Sequence, residues 1–361
     1  MYRVFTIIVL VSFMLTFCKV DKTTDQQVIK DHKFNSYFNK NGDGFTGGDG
    51  TYSVLLPDGR TVWIFGDTFI GAVNDDNTRT KTDPIYIRNS FVIQDGKDFK
   101  FMYNDTGKVN RSIMIPPSVV ESNFELSEYE KWYWPGDGFI TNQQLHVFVS
   151  EFEQVDTGMW GFQWGGTALF SFSLPELKIT DFESFNYGLK NGVHYGHAVL
   201  EDKGYLYIYG LQQGKPHAAR VSIVDVSDEW EFFNGRSWSE NPEDSKPMVD
   251  VEGSEQFSII KLDEKYYYLT QDGGLSPEIY VYRSDKPYTG WENKKLLFTT
   301  PLDSLNKDLF TYNAIAHPQF MNEKGMLVSY NTNSFKLSDH YRDASIYRPR
   351  FIRIPLEKIQ D

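Results

Sequence analysis

Apolar residues in this chain gather in short runs, and turn residues separate them. The runs Tyr52 to Leu56 and Thr61 to Phe65 flank Pro57-Asp58-Gly59, where Pro presets φ and Gly accepts the left-handed position of a three-residue hairpin loop. A β-hairpin is predicted, with Leu56 opposite Arg60 and, counting outward, Asp49 opposite Asp67. The same order of strand, turn, strand and third strand then recurs. Asn89 to Ile93 is the first unit's third strand, and the second unit reads Gly138 to Ile140, Leu145 to Val149 and Thr167 to Phe172. The third reads His197 to Leu200, Tyr205 to Tyr209 and Ala219 to Val224; the fourth reads Gln256 to Ile260, Tyr266 to Thr270 and Glu278 to Tyr282. The fifth has His317 to Phe320, Met326 to Tyr330 and Arg350 to Ile354.

One meander of this kind cannot bury both of its faces, so units repeated at intervals of roughly sixty residues imply radial stacking. The predicted class is all-β and the architecture a five-bladed β-propeller, with a β-sandwich as the weaker alternative. Between the first two units the spacing stretches, and the region from about Asp95 to Lys131 is read as an insertion or a long edge strand. No segment holds a helical period for long; Leu302 to Leu309 is the best candidate for a turn or two.

In a propeller the first strand of each blade lines the central channel. That gathers Asp49, Asp137, His197, Glu255, Gln256 and His317 at one mouth, joined from the second-strand ends by Asp67, Glu151, Gln212 and Asn331. Such a ring of acids, imidazoles and amides suits a pocket for a polar ligand, though propeller channels also bury polar residues for structural reasons. Within the ring the opposed aspartates stand out. Residues directly across an antiparallel pair have Cβ atoms about 4.5–5.5 Å apart, and like charges there cost stability. Two carboxylates so placed cannot both ionise easily: one keeps its proton, as a general acid must, and the other stays an anion. This is the division of labour of glycoside hydrolysis, with retention at a carboxyl separation of about 5 Å and inversion at about 6.5–9.5 Å. The plainer alternative is that both acids bond backbone amides at the Gly-rich turns.

The chain begins Met1-Tyr2-Arg3, and an apolar run from Val4 to Phe17 ends at Cys18, the only cysteine. The run is too short for an ordinary membrane span and fits a signal-peptide core. Residues 1–18 are expected to be a lipoprotein-type signal, with Cys18 acylated, although Phe17 stands where a small residue is usual. Residues 19–33 are polar and without periodicity and are expected to be a flexible tether to the propeller domain at 34–361. The protein is thus expected to be exported and lipid-anchored to a bacterial membrane, on its periplasmic or cell-surface face.

A net charge of −13 argues against nucleic acid or an anionic membrane surface as partner, since both are held by neutralising phosphates with Lys and Arg. Aromatic residues make up 16% of the chain, which suits strands and also suits sugar-binding faces. A monomer with an oligo- or polysaccharide partner is expected. The stretch Asn39-Lys40-Asn41-Gly42-Asp43-Gly44 imitates the first half of a calcium loop, but Gly50 stands where the bidentate Glu belongs. No metal site is therefore assigned, apart from a structural cation that His197 or His317 could hold in the channel. No phosphate loop, zinc pattern or Gly-x-Ser-x-Gly elbow is present.

The stretches Gly-Gly-Asp-Gly-Thr-Tyr-Ser-Val at 47–54, Leu-Pro-Asp-Gly-Arg-Thr at 56–61 and Trp-Ile-Phe-Gly-Asp-Thr-Phe at 63–69 resemble the opening blade of an exported bacterial family. That family is similar to the endo-D-arabinanase-type five-bladed propeller glycosidases. The first-blade likeness is specific, whereas the later blades share only the repeat pattern. It implies that Asp49 and Asp67, which match the glycosidases' catalytic aspartates, are the acid and the nucleophile or base. The wider clan draws its acid from a later blade, which keeps Asp137, Glu151 and Glu255 as further candidates. Asn89, Trp134, Trp164, His197, Gln256, Tyr312 and His317 are candidate substrate-binding residues. The expected function is hydrolysis of a furanoside-containing, arabinan-like glycan; the alternative is a non-catalytic glycan-binding lipoprotein on the same propeller.

Overall fold

The computed structural model describes residues 27–361 except 43, 83, 106–108, 159 and 303–305. The expected signal, Cys18 and the first part of the expected tether lie outside the described residues. Five sheets in a ring form a five-bladed β-propeller. Blade 1 comprises Tyr52–Leu55, Thr61–Phe65, Ser90–Asp95 and Asp98–Met102, and blade 2 comprises Lys131–Thr141, Gln144–Gln154, Phe162–Ser173 and Ile179–Phe185. Blade 3 begins at His194–Asp202, blade 4 at Ser258–Leu262 and blade 5 at Leu309–Asn322.

The first hairpin has the register counted from its turn. Tyr52 pairs with Ile64 and Leu55 with Thr61, and the Leu56 amide donates to the Arg60 carbonyl at 2.7 Å. Period-2 alternation is missing from Thr61–Phe65, which is buried throughout, because both faces of an inner strand meet a neighbouring blade. The core is accordingly divided among the gaps between blades. One cluster joins Val62, Ile64 and Phe91 of blade 1 to Leu145, Val147 and Phe170 of blade 2; another joins Leu269 and Val281 of blade 4 to Val328 and Ile354 of blade 5. No blade has a core of its own, which is the physical reason the unit must repeat.

The ring is closed by the N-terminal residues. Ile29–Lys30 pairs with Arg353 and Ile352 on the outside of blade 5, and Asp31 caps the helix His32–Phe38 by accepting the Phe34 amide at 3.0 Å. The other Asp31 oxygen accepts from Arg353 Nε at 2.7 Å. Phe34 and Phe38, one helical turn apart, pack on Trp63 and Phe351. The tether expected through residue 33 therefore ends by Ile29, because a strand partner and a capping acid order the chain there. Two further expectations are corrected. Leu302 to Leu309 is not a helix in its described part, which is turn leading into strand. The region after Asp95 is not one long edge strand: it holds the fourth strand of blade 1, a small ribbon of Asn104–Asp105 with Asn110–Arg111, and the helix Pro117–Glu121. The calcium-like loop is also explained, since Arg348 is seated in it, donating to Asn39, to the Lys40 carbonyl at 2.7 Å and to Asn41 at 3.1 Å.

Candidate active site

Asp49 lies between two pieces of strand. Gly44–Gly48 pairs with Thr68–Gly71, and the chain then turns at Gly50 and Thr51, both at positive φ, before entering blade 1. The Asp49 amide donates to the Asp67 carbonyl at 3.3 Å, and the Gly66 amide donates to the Asp49 carbonyl at 2.8 Å. Asp49 thus faces the Gly66–Asp67 step, and both carboxyl groups reach the same cleft. A Cβ at Gly66 would sit 2.6 Å from Asp49 Oδ1 and push that carboxyl aside.

The two acids have different partners. Asp49 Oδ2 accepts the Tyr312 hydroxyl at 2.6 Å and the Tyr347 hydroxyl at 2.8 Å. Asp67 Oδ1 accepts Trp134 Nε1 at 2.7 Å, while Arg88 Nη1 stands 3.2 Å from Oδ2. Arg88 is fixed in turn by its Nε donating to the Glu128 carbonyl at 3.1 Å, and by the Trp132 ring 3.8 Å from its guanidinium. Burial pushes both carboxyls above the ordinary aspartate value. The Asp67 charge pushes Asp49 further up, against the two phenols; at Asp67 the Arg88 guanidinium opposes the rise. One acid has a cation beside it and the other has only neutral donors.

The cleft encloses about 870 Å³ at the mouth of the channel. Blade 2 supplies an aromatic wall of Trp132, Trp134, Phe152 and Phe162, with Trp160 exposed at its rim. His197, Glu255 and Gln256 line the cleft as well, as do Tyr312 and Asn313. Glu255 stands 3.3 Å from His194 Nδ1 and 3.4 Å from His197 Nε2.

Several expected site residues are used elsewhere. Asn89 is fully buried and its amide is consumed by Met114 and the Tyr133 carbonyl; it ties blade 1 to blade 2 and does not line the cleft. His317 is fully buried between blades 1 and 5, beside Trp63 and Phe351, with Nδ1 bonded to Ser53 Oγ at 2.6 Å and Nε2 to Ser329 Oγ at 2.9 Å, so it offers no nitrogen to a substrate or a cation. Trp164 stacks on His194 at 4.0 Å and supports the wall from behind. Glu151 pairs with Lys131 at 3.0 Å and accepts the Tyr133 hydroxyl, away from the cleft lining. Asp137 links the first strands of blades 2 and 3, accepting the amides of Gly138 at 2.9 Å and Val199 at 3.0 Å, and burial raises its pKa to about 7.

Tyr347, Asn333, Tyr86, Tyr129 and His194 were not anticipated. Tyr347 comes from the loop before the last strand, held at φ 79°, and nothing in Ser-Ile-Tyr-Arg-Pro announces it. His194 had a signal, His-Tyr-Gly-His, in which a glycine between two histidines marks a bulge able to bring both to one side.

Solved structures share this architecture. A candidate hydrolase from Bacteroides ovatus is 24% identical over 92% of this chain and 92% of its own, with a TM-score of 0.77. An exo-β-1,3-galactanase from Clostridium thermocellum is 13% identical over 86% of this chain and 61% of its own, with a TM-score of 0.50. A protein of unknown function from Dyadobacter fermentans is 9% identical over 87% of each chain, with a TM-score of 0.51. At these identities the likeness is one of fold, a propeller that glycoside hydrolases also use. No curated protein matches the chain. The family described as "Domain of unknown function (DUF5005)" matches residues 31–356, and the chain belongs to that family.

Proposed function

We propose that this protein is a glycoside hydrolase that cleaves a furanoside-containing, arabinan-like glycan, with Asp49 as general acid and Asp67 as the anionic nucleophile or base. The observation that carries the reading is the unequal pair at the floor of the cleft. Asp67 has Arg88 as a counterion, which favours its charged form, whereas Asp49 has no cation, and burial and the charge of Asp67 favour its proton against the pull of the two phenols. A proton on Asp49 and a charge on Asp67 are what departure of a glycosidic oxygen and attack at the anomeric carbon require. Trp134 and the exposed Trp160 offer ring faces to sugars along the blade 2 wall. The protein works outside the cytoplasm, held to a membrane through acylated Cys18; mass spectrometry of the mature chain should find an acylated Cys18 as its first residue, and an unmodified Cys18 would remove the anchor.

The deciding experiment is release of reducing sugar from arabinans, galactans and synthetic furanosides by residues 19–361, beside Asp49→Asn and Asp67→Asn. Each variant should lose about 10²–10⁴-fold in rate, the usual contribution of a general acid or base. Activity unaffected by either change would remove the pair from the mechanism. Tight binding of one glycan without turnover by the unaltered protein would replace hydrolysis with glycan capture.

A further inference from the structure

The cleft contains a second constellation that the acid pair does not use. His194 and His197 stand on the first strand of blade 3, and Glu255 comes from the loop leading into blade 4. Three residues apart on a regular strand, two side chains point to opposite faces. Here the ladder is broken between Tyr195 and Ala198. Gly196 takes φ +98° in that bulge, where a Cβ would also strike Phe148 at 2.6 Å, and the distortion turns both imidazoles toward Glu255.

Nδ1 of His194, Nε2 of His197 and a Glu255 oxygen all lie within 4.8 Å of one another. His194 Nδ1 is 3.3 Å from Oε1 and His197 Nε2 is 3.4 Å from Oε2. Neither nitrogen makes a hydrogen bond although both are buried, and the His197 residue is only 7% exposed. A buried imidazole nitrogen without a partner is costly, so two aimed at one carboxylate need an explanation. Tetrahedral coordination at about 2.0–2.1 Å puts neighbouring ligand atoms about 3.3–3.4 Å apart. Here each imidazole nitrogen stands that far from one carboxylate oxygen, His194 from Oε1 and His197 from Oε2, and the three donor atoms lie within 4.8 Å of one another, close enough for small rotations to close on an ion. The His194 ring is also held from behind by Trp164, stacked on it at 4.0 Å, and the His197 backbone is pinned by the Tyr52 hydroxyl, which donates to its carbonyl at 2.9 Å.

We propose that His194, His197 and Glu255 form a binding site for a divalent transition metal of the zinc class, at the cleft wall. Two imidazoles and one carboxylate favour zinc or cobalt over calcium or magnesium, which prefer an all-oxygen shell. Three protein ligands leave a coordination position open. His197 and Glu255 both line the cleft, so that position faces the space a ligand would enter and would take water or a sugar hydroxyl.

The site is tested without substrate, so its outcome is independent of the proposed hydrolysis. Protein stripped with chelator is titrated with Zn2+ alone, followed by calorimetry and thermal melting, and with Co2+ alone, followed by its visible absorption. One Zn2+ per chain, a raised melting temperature and a Co2+ spectrum of imidazole ligation are expected. Glu255→Gln and His194→Ala should each weaken Zn2+ at least about tenfold, the loss that even an outer-shell partner produces. Asp49→Asn should bind Zn2+ as the unaltered protein does. Absence of stoichiometric uptake, equal uptake by the Glu255→Gln and His194→Ala variants, or Ca2+ bound as tightly as Zn2+ would overturn the assignment and leave the three residues as an ion-paired cluster.

Discussion

His317 and His197 both stand on the channel-lining strand of a blade, and they are put to opposite uses. His317 spends both ring nitrogens on serine hydroxyls, at 2.6 and 2.9 Å. His197 turns Nε2 toward Glu255 and makes no hydrogen bond with it. Acids divide in the same way. Asp31 is committed to a helix cap and to Arg353, whereas Asp49 and Asp67 hold their carboxyls at the cleft among donors that leave them open to a ligand. Residue type is shared across both contrasts, and the histidines share a strand position as well. What differs is unspent bonding capacity at a wall that solvent and substrate can reach.

The largest effect should come from the open side of this comparison. Asp67→Asn should lower turnover about 10²–10⁴-fold, a loss far beyond the fall in melting temperature that follows from leaving buried Arg88 without its counterion. Turnover that falls no further than the folded fraction would move Asp67 to the structural side. On the spent side the pattern reverses: His317→Ala leaves two serine hydroxyls unpaired in the packed gap between blades 1 and 5 and should cost about 2–4 kcal/mol of unfolding free energy by chemical denaturation. A glycan substrate should still bind to the folded fraction with unchanged affinity. A stability change below about 0.5 kcal/mol, the range of a surface substitution, would show that His317 is not the structural element its bonds imply.

Asp137 stands between the two classes, half-buried and bonded only to backbone amides. Its pKa is raised to about 7 by burial, so between about pH 4 and 7 the folded protein holds a proton that the unfolded chain releases. Stability from this group is complete below about pH 4 and is lost as pH rises toward 7. After allowance for the water that reaches the carboxyl, about 2 kcal/mol is expected across that window, read from denaturant midpoints at successive pH values. Asp137→Asn should flatten the slope; an unchanged slope would assign it to another group.

Much of the propeller was legible in the sequence because its inner strands are local objects. Pro57-Asp58-Gly59 fixes a register by itself, and that register carries Asp49 to Asp67 across a turn without help from the rest of the chain. The outer strands were less visible. Ile179–Phe185 is mostly exposed and lacks an apolar signature, and Ile29–Lys30 becomes a strand only because Arg353 and Ile352 meet it from the other end of the chain. The same limit applied to the site. Asp49 could be found from its own hairpin, but Tyr312 and Tyr347 reach it across 263 and 298 residues of sequence. Asn89 and His317 misled for a related reason. The position of His317 pointed to the channel and that of Asn89 to an open strand start, but only tertiary contacts determine whether a polar group is already satisfied.

The smallest expected effect gives the sharpest division between the two acids. Tyr347→Phe removes one donor from Asp49 Oδ2 and leaves Tyr312 in place. That donor favours the charged carboxylate, so its loss should raise the Asp49 pKa further. A hydrogen bond worth about 1 kcal/mol corresponds to about 0.7 of a pKa unit. If Asp49 delivers the proton, activity on the alkaline side depends on its remaining protonated, and the alkaline limb of kcat/KM should move up by about that amount. If Asp49 were instead the base, the acidic limb would move upward and the alkaline limb would stay. Arg88→Met supplies the opposite control. Removing the cation beside Asp67 raises the Asp67 pKa, so the acidic limb should rise while the alkaline limb holds. Movement of the same limb in both variants would mean that the pair shares one proton and that neither acid has a role of its own.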